Sequence, residues 1–338
     1  MNISLYFPPG ADPAMPHAAL PALAARLKQD GIHHYFLHDL NLEVFLYFLK
    51  REKVRLAREI VKQRIKNGEL TSEHLRQEAE KLLSETMDLP PRIDDSAAGF
   101  RDPGIYYNPG SLWAIKADVE AACRLISFQY DPTGRLRFGK YSLFEGFSYN
   151  RFEEIQAACD DPAAKMLTDF YREKVIPWIV AKQPQLVGFS VPYFPQLIPT
   201  FLLAREIRKV SPDTHITCGG PVITWGKETI LRQADRFVSL IDSFCVGEGE
   251  DCISGLAKTL ETKQNFFAVP NLVYLQKGKP AVCSQQHNVV NLGRLSPPDY
   301  SGMPMEKYLA PQRLISLPLT KGCYYNRCKF CNYSFIKM

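Results

Sequence analysis

This sequence of 338 residues has no apolar run that approaches the roughly 20 residues a membrane-spanning helix needs. Its start, MNISLYFPPGADPAMPH, lacks the basic segment and the small-residue cleavage site of a secretory signal peptide. It also has no arginine-rich stripe and no recognised nucleic-acid motif, and its 41 basic residues nearly balance 36 acidic ones. We therefore expect a cytoplasmic protein that binds neither membranes nor nucleic acids.

A disulfide framework is missing as well. The chain has nine cysteines, and a cytoplasmic protein keeps its thiols reduced. A cysteine that stands alone in the sequence usually behaves as a small buried hydrophobic residue. Six cysteines are of this kind: Cys123, Cys159, Cys218, Cys245, Cys252 and Cys283. The other three are clustered, and the clustering calls for a chemical explanation.

Strands that alternate with helices are predicted in two separate parts of the chain. The first part holds an apolar run over 2–8, a helical pattern over 18–27 and a second strand over 33–37. The second part begins with the buried run LVGFSV and continues with the following elements: a helix over 196–210, a strand over 215–218, a helix over 225–233, a strand within 237–246 and a helix to about 260. Continuous apolar strands separated by helices predict an α/β fold with a doubly wound, Rossmann-like parallel sheet.

The sheet domain is assigned to residues 1–45 and 183–265, and residues 46–182 are predicted to be a mostly helical insertion. Within the insertion, residues 89–115 are rich in Pro, Gly and Asp and predict a loop.

Residues 266–310 follow the sheet and are predicted to be a connector with a short strand pair and the Pro-rich segment SPPDYSGMP. One more strand, over 314–319, leads directly into the clustered cysteines within residues 311–338.

The final segment, TKGCYYNRCKFCNYSF, places Cys323, Cys328 and Cys331 at C-x4-C-x2-C spacing. Three thiolates on one loop can bind three corners of a four-iron cluster and leave the fourth iron open to a substrate. The lysine and arginine side chains of the same segment favour thiolates and an anionic cluster. The alternative is a zinc site, which commonly uses four protein ligands in two pairs. No cysteine or histidine follows Cys331 to supply the fourth ligand.

This loop resembles the signature of the radical S-adenosylmethionine (SAM) superfamily, in which three cysteines follow the first strand of a partial β/α barrel. Phe330 occupies the aromatic position before the last cysteine, and Lys321-Gly322 matches the lead-in of a basic residue and glycine. The chain departs from the commonest spacing, because residues 324–327 put four residues between the first two cysteines instead of three. The resemblance implies a [4Fe–4S] cluster on the three cysteines and SAM as a cofactor, with Phe330 near its adenine.

The preceding sheet domain resembles the cobalamin-binding domain that often precedes such barrels. The resemblance is carried by YFPP after the first strand, GFSVPYFPQL, the CGGP turn and VGEGE. Glycines at the carboxyl ends of parallel strands let the backbone approach a large ligand and its tail. The candidate cofactor-binding residues are Ser190, Gly219, Gly220, Gly247 and Gly249. The alternative is that these glycines only make tight turns in an empty flavodoxin-like domain.

The usual cobalt-ligating motif of such domains, D-x-H-x-x-G, is absent. Asp213-Thr214-His215 imitates its start, but Gly219 follows one residue late and His215 is expected to belong to a strand. His17 follows the first strand without the Asp and Gly partners of the motif. Any cobalt centre is therefore expected to lack a histidine from this motif.

Taken together, the resemblances imply the N-terminal part of a cobalamin-dependent radical SAM enzyme, with methyl transfer as the commonest outcome. Such an enzyme forms a 5′-deoxyadenosyl radical, acts on a small-molecule or peptide substrate, and receives electrons from a flavodoxin- or ferredoxin-type donor. The competing interpretation is a non-catalytic cobalamin-binding or interaction module whose cysteine loop is vestigial or binds zinc.

The barrel is expected to be truncated. The sequence ends at Met338, whereas a full β/α barrel runs to roughly 200 residues or more. We therefore expect a separately encoded remainder of the barrel as a partner, and no turnover by this chain alone.

Overall fold

The computed structural model describes residues 1–276, 279–284, 292–317, 323, 325 and 327–331. A seven-stranded sheet lies at its centre, with the order β2-β1-β3-β4-β5-β6-β7. The strands are β1 (Ile3–Phe7), β2 (Tyr35–Asp39), β3 (Leu186–Ser190), β4 (His215–Gly219), β5 (Ser243–Cys245), β6 (Leu272–Gln276) and β7 (Lys279–Cys283). The first five are parallel in the order 2-1-3-4-5, which is a flavodoxin-like arrangement. The prediction of an α/β fold is confirmed.

The helices surround this sheet. They are α1 (Ala19–Gln29), α2 (Leu40–Phe48), α3 (Arg51–Lys66), α4 (Glu73–Glu85), α5 (Ile93–Gly99), α6 (Pro103–Tyr106), α7 (Pro109–Tyr130), α8 (Phe152–Asp160), α9 (Lys165–Phe170), α10 (Ile176–Lys182), α11 (Leu197–Val210), α12 (Pro221–Trp225), α13 (Lys227–Arg232), α14 (Ala234–Phe237) and α15 (Glu250–Thr262). A π-helical stretch, Tyr171–Val175, joins α9 to α10. Across the part of the chain that the structure describes, no helix has the length and apolar character needed to cross a membrane.

Side chains of the parallel strands alternate between two hydrophobic cores, as the twofold period of a strand requires. Leu5 and Leu186 point to the face covered by α1 and α15. Val187 and Phe189 point to the opposite face, where α11 and the helices between β2 and β3 form the larger core. Because both faces are covered, the side chains of β1 and β3 are mostly apolar on both sides of the sheet.

Residues 89–115 differ from the sequence-based prediction of a loop, because they contain α5, α6 and the first turns of α7. The Asp102 carboxylate accepts a hydrogen bond from the Gly104 N–H at 2.7 Å and caps α6. The Asn108 side chain caps α7 in the same way, accepting from the Ser111 N–H at 3.0 Å. Each cap precedes a proline at the first helical position, where a missing N–H has no cost. The residues taken as loop formers therefore begin helices.

The predicted strand pair after the sheet is part of the sheet itself, since β6 pairs antiparallel with β5 and β7 pairs antiparallel with β6. The predicted strand over 314–319 is described only for residues 314–317, and these residues form no strand. The remainder of that prediction, 318–319, lies outside the described residues.

Residues 299–317 cross the carboxyl edge of the sheet, and we call them the covering segment. The Leu309 N–H donates to the Pro13 carbonyl at 3.1 Å. The Tyr308 hydroxyl donates to the buried Asp39 carboxylate at 2.7 Å. These contacts hold the covering segment against the loop that follows β1 and the end of β2.

Candidate functional site

A cavity of about 580 Å³ lies at the carboxyl ends of β3, β4 and β5. It extends along the sheet face between α1 and α15. Its volume is typical of protein pockets that bind small molecules and cofactors. In open parallel sheets, this edge is where ligands bind. The cavity is therefore the candidate functional site.

The five sheet residues singled out by the sequence all line this one cavity. They are Ser190 at the end of β3, Gly219 and Gly220 at the end of β4, and Gly247 and Gly249 before α15. They come from three separate strand ends, and the parallel pairing of β3, β4 and β5 brings those ends together.

Gly220 occupies a position that only glycine tolerates. Its φ is +111°, and a Cβ built on it would lie 2.8 Å from the Val191 carbonyl oxygen. Its neighbour Gly219 is also tight, because a Cβ there would lie 3.1 Å from the Cys245 Cβ. The CGGP turn therefore keeps the backbone of β4 close to its neighbours and leaves the cavity wall without side chains.

Gly188, in the middle of β3, also lines the cavity and was not selected from the sequence. A Cβ at Gly188 would lie 2.7 Å from Leu5 Cδ2 and 3.6 Å from Ile253 Cδ1. The missing side chain lets Leu5 of β1 pack closely against β3 on the face between α1 and α15. Its signal in the sequence is a glycine inside an otherwise apolar strand, which marks close approach by another group.

Thr224 is a second residue that the sequence analysis missed. Its hydroxyl donates to the Gly220 carbonyl at 3.1 Å and accepts from the Gly247 N–H at 2.9 Å. One side chain on α12 thus joins the turn after β4 to the turn after β5. The two glycine-rich turns form a single continuous wall of the cavity.

His17 lies at the same edge, after the end of β1, and its ring contributes to the cavity lining. Nδ1 accepts a hydrogen bond from the Ala19 N–H at 3.2 Å. The ring stacks on Phe7 with centroids 5.1 Å apart and meets the edge of Tyr193 at 5.9 Å. Burial lowers the pKa of His17 below its usual value, so the ring is neutral at pH 7.

Two thiols, of Cys245 and Cys252, form part of the cavity wall. Their mutual hydrogen bond, followed by burial, raises the pKa of Cys245 well above its usual value. The Cys245 Sγ also lies 3.6 Å from the Glu248 carbonyl oxygen. A protonated, buried thiol is a poor nucleophile and a poor metal ligand. Cys245 therefore acts as a small apolar side chain.

The covering segment reaches the cavity at Ser316 and Leu317, which both line it. The Tyr300 hydroxyl donates to the Ser316 carbonyl at 2.7 Å and holds this end of the segment. Cys323 follows Leu317 closely in the sequence, and an extended chain of that length spans at most about 20 Å. The first cysteine of the loop is therefore tethered near the cavity.

Three exposed side chains adjoin residues that line the cavity: Tyr193 meets the His17 ring, Trp225 follows Thr224, and Met15 Sδ lies 3.8 Å from the Ser316 hydroxyl. Tyr193, after β3, and Trp225, at the end of α12, are both exposed, as is Met15 after β1. The Trp225 ring is held edge-on to Phe194 at a centroid distance of 5.3 Å. Exposed aromatic rings beside a cavity provide apolar contact area for a ligand larger than the cavity itself.

The cysteine loop is described only in part, since Lys321-Gly322, residues 324 and 326, and everything after Cys331 lie outside the described residues. The Cys331 N–H donates to the Cys328 carbonyl at 3.3 Å, so these two cysteines share a tight turn. Cys323 and Cys328 are exposed, and Phe330 is 90% exposed and is not part of the cavity lining.

Among the described residues, no three His, Cys, Asp or Glu side chains are grouped closely enough to hold a metal ion. Cys328 and Cys331 are joined by one turn, and parts of the loop around the three cysteines lie outside the described residues. The glycine-lined cavity has room for part of a large ligand such as the tail of a cobalamin.

His215 lies away from this site. It is the first residue of β4, at the amino end of the strand, and its Nε2 lies 2.8 Å from the Ser243 hydroxyl. Burial lowers the pKa of His215 to about 4. The expectation that His215 is a strand residue is confirmed, and the ring takes no part in the cavity.

Comparisons with known proteins give one coarse likeness. No protein-family model and no curated protein sequence matches the chain. Among solved structures, the radical S-adenosylmethionine methyltransferase TsrM from Kitasatospora setae, solved with cobalamin and a [4Fe-4S] cluster bound, is similar at 13% identity and a TM-score of 0.39. The match covers 88% of this chain and 31% of that one, so the chain spans about a third of the length of the enzyme it resembles.

Proposed function

We propose that this chain is the cobalamin-binding part of a radical SAM enzyme of the methyltransferase type. The observation that carries the proposal is the cavity at the carboxyl edge of the sheet, where three glycine-rich strand ends meet the covering segment. The cavity thus lies between the glycine-rich strand ends and the segment that leads into the cysteine loop. Ser316 and Leu317 contribute to the same cavity only a few residues before Cys323.

The residues that would hold cobalamin belong to the sheet edge and the two flanking helices. Its narrow tail would enter the space on the sheet face between α1 and α15. Gly220 and Gly247 would lie against its wider part, and the exposed Tyr193 and Trp225, which adjoin lining residues, would contact it from outside. When bound, cobalamin supplies the transferable group, while the protein orients it and excludes water.

The cobalamin proposal is tested by retention. The chain is incubated with hydroxocobalamin and passed through gel filtration, and we expect visible absorbance to stay with the protein at about one cobalamin per chain. Ala22 on α1 lines the cavity, so Ala22→Leu should fill it and weaken binding about tenfold or more. Ala114, an exposed residue of α7, gives the control Ala114→Leu, which should bind as the unmodified chain does. Loss of absorbance from the unmodified chain would refute the proposal.

The cysteine loop is proposed to bind a four-iron cluster, a proposal that rests on its spacing alone. After anaerobic loading with iron and sulfide, we expect about four irons per chain, and fewer after Cys323→Ala, Cys328→Ala or Cys331→Ala. Cys283 is exposed and stands alone, so Cys283→Ala is the matched control and should keep the iron. A colourless protein that holds one zinc ion would contradict the cluster proposal.

The second candidate function is a binding module without cluster chemistry. It is favoured by the arrangement of the thiols, since no three metal-binding side chains are grouped among the described residues. The same two experiments separate the candidates. A module would retain cobalamin and take up no iron, whereas the radical enzyme part would take up both.

A further inference from the structure

His17 has a fixed tautomer because of where its first ring nitrogen lies. Nδ1 accepts the Ala19 N–H, which is one of the unpaired donors of the first turn of α1. A neutral imidazole has one accepting and one donating nitrogen. Because Nδ1 accepts, the proton is on Nε2.

The orientation of the His17 ring is also fixed. Its plane lies 13° from that of Phe7 and 83° from that of Tyr193, so it is held between a stacked ring and a ring edge. Within the part of the chain that the structure describes, Nε2 makes no hydrogen bond. His17 is one of the residues that line the cavity, and Nε2 is the ring nitrogen that α1 does not use.

We propose that His17 binds the ligand of this cavity as a hydrogen-bond donor through Nε2–H, and that it is not a metal ligand. The acceptor would be an oxygen of the ligand, in a phosphate or an amide carbonyl group. A metal ligand needs the lone pair of Nε2, which is free only if the proton moves to Nδ1. That move would place the Nδ1–H against the Ala19 N–H and leave the helix donor without an acceptor.

The tautomer is a property of the free protein and is measured without any ligand. Long-range ¹H–¹⁵N correlation spectra of the ¹⁵N-labelled chain at about pH 7.5 report which nitrogen of each neutral ring is protonated. The signals of His17 are those that disappear in His17→Gln. We expect the Nε2–H tautomer. An Nδ1–H tautomer, or a ring protonated on both nitrogens, would overturn the inference.

Cobalamin binding by His17 variants tests the Nε2–H donor directly. Cobalamin is the probe because the inference rests on the proposed function. His17→Phe keeps a ring to stack on Phe7 but has no donor, and His17→Gln places an amide N–H near the position of Nε2. We expect His17→Phe to bind hydroxocobalamin about 5- to 10-fold more weakly, and His17→Gln to stay within about threefold of the unmodified chain. Equal binding by His17→Phe would overturn the donor role.

The metal-ligand alternative has its own spectroscopic signature. The electron paramagnetic resonance spectrum of bound cob(II)alamin is compared between unlabelled and ¹⁵N-labelled protein. We expect identical spectra, because no protein nitrogen is bound to cobalt, and a label-dependent splitting lost in His17→Phe would overturn the inference. A chain that retains no cobalamin would refute the proposed function instead, and the tautomer measurement would then decide the inference alone.

Discussion

Thr224 uses one hydroxyl to join the two glycine-rich turns of the cavity. The hydroxyl has a donor and acceptors, and both capacities are used, toward the Gly220 carbonyl and the Gly247 N–H. At Gly220 and Gly247 the two turns have no side chains of their own. The shape of the cavity wall therefore depends on a residue that contributes no charge and no conspicuous motif.

We predict that Thr224→Val destabilises the protein by about 1–2 kcal/mol, because the Gly247 N–H loses its acceptor while the side-chain volume is kept. Thr224→Ser retains the hydroxyl and should stay within about 0.5 kcal/mol of the unmodified chain. Urea unfolding followed by circular dichroism measures both. Equal stability of the two variants would show that the hydroxyl does not hold the turns.

Some residues of the candidate site can be identified from the neighbouring sequence, and others cannot. Gly219, Gly220, Gly247 and Gly249 could be selected from the sequence because each directly follows an apolar strand. The role of Thr224 depends on the distance between two turns that are far apart in the sequence, which no local pattern contains.

His17 was judged from the sequence as an incomplete cobalt-ligating motif. In the structure, Nδ1 of His17 accepts a hydrogen bond from the Ala19 N–H. Nδ1 would have to carry the proton if Nε2 were bound to a metal, so the structure favours a different role. Such a contact depends on how the loop enters α1. The residue type could be found in the sequence, but its protonation state could not.

Asp39 links two elements, since it caps α2 and accepts the Tyr308 hydroxyl of the covering segment. The Leu42 N–H donates to its carboxylate at 3.0 Å, and Tyr308 donates at 2.7 Å. Burial raises the pKa of Asp39 to about 6, the nearby Glu43 adds to the rise, and the two hydrogen bonds oppose it. The cap of α2 and the contact that holds the covering segment therefore both depend on the protonation state of Asp39.

The raised pKa sets the sign of a pH dependence. A carboxyl group whose pKa is higher in the folded state stabilises the fold when protonated, so this stability is present at low pH and lost as pH rises through about 6. Asp39→Asn does not titrate and still caps the helix. From about pH 4.5 to pH 7, we expect the stability of the unmodified chain relative to Asp39→Asn to fall by about 2 kcal/mol.

The measurement is urea unfolding of both chains at several pH values, compared with a control pair. Asp95 on α5 is exposed, so the stability difference between Asp95→Asn and the unmodified chain should change little with pH. A difference for Asp39→Asn that stays constant from pH 4.5 to 7 would contradict the assigned role of the buried carboxyl group.

Arg208 connects the end of α11 to the amino edge of the sheet. Its guanidinium donates to the Leu240 carbonyl at 3.2 Å and to the Thr214 carbonyl at 2.5 Å, and it forms an ion pair with Asp242. Asp242 in turn accepts the Ile216 N–H at 2.7 Å. Only a planar group with several donors can satisfy these acceptors together.

We predict that Arg208→Lys destabilises the protein by about 2–3 kcal/mol, because an ammonium group cannot replace the divergent hydrogen bonds. The matched control is Arg151→Lys, an exposed arginine whose ion pair with Glu154 is 4.0 Å long. We expect that change to cost less than about 0.5 kcal/mol. Thermal and urea unfolding of the two variants measure the difference, and similar losses in both would contradict the assigned role.

At the element scale, the sequence predicts strands and helices that have a clear hydrophobic pattern. The prediction fails for helices that begin with polar residues and proline. The strands β1, β3 and β4 were predicted because each is a short, largely apolar run that ends at a turn-forming segment. The region 89–115 was misassigned because Asp-Pro and Asn-Pro pairs are typical of both loops and helix starts. Only the hydrogen bonds from the following backbone distinguish the two.

Within the described residues, β1 and the covering segment meet at one edge of the sheet. β1 and the loop after it supply one side of the cavity, and the covering segment supplies part of its roof. The path of the covering segment depends on single contacts such as the Tyr308–Asp39 hydrogen bond and the Lys28–Asp299 ion pair at 2.9 Å. Contacts of this kind join residues that are far apart in sequence, so the sequence alone predicts a connector but not its course.

This arrangement predicts that ligand binding protects the covering segment from proteolysis. Arg313 is exposed and lies just before Ser316 and Leu317, so trypsin reaches it when the segment opens. If opening disrupts the cavity, a ligand at about 100 times its Kd raises the opening free energy by about 2.7 kcal/mol. Cleavage at Arg313 should then slow by at least about tenfold and by up to about 100-fold when hydroxocobalamin is bound.

Cleavage after Lys66, at the exposed end of α3 and away from the cavity, is the internal control and should keep its rate. Ala22→Leu, which is expected to bind cobalamin weakly, should show little protection at Arg313 under the same conditions. Mass spectrometry of timed digests resolves the two sites in one experiment. Retained cobalamin with unchanged cleavage at Arg313 would show that the covering segment does not close over the ligand. If the segment had to open for trypsin and also enclosed the ligand, the bound ligand would raise the free energy of opening and slow cleavage.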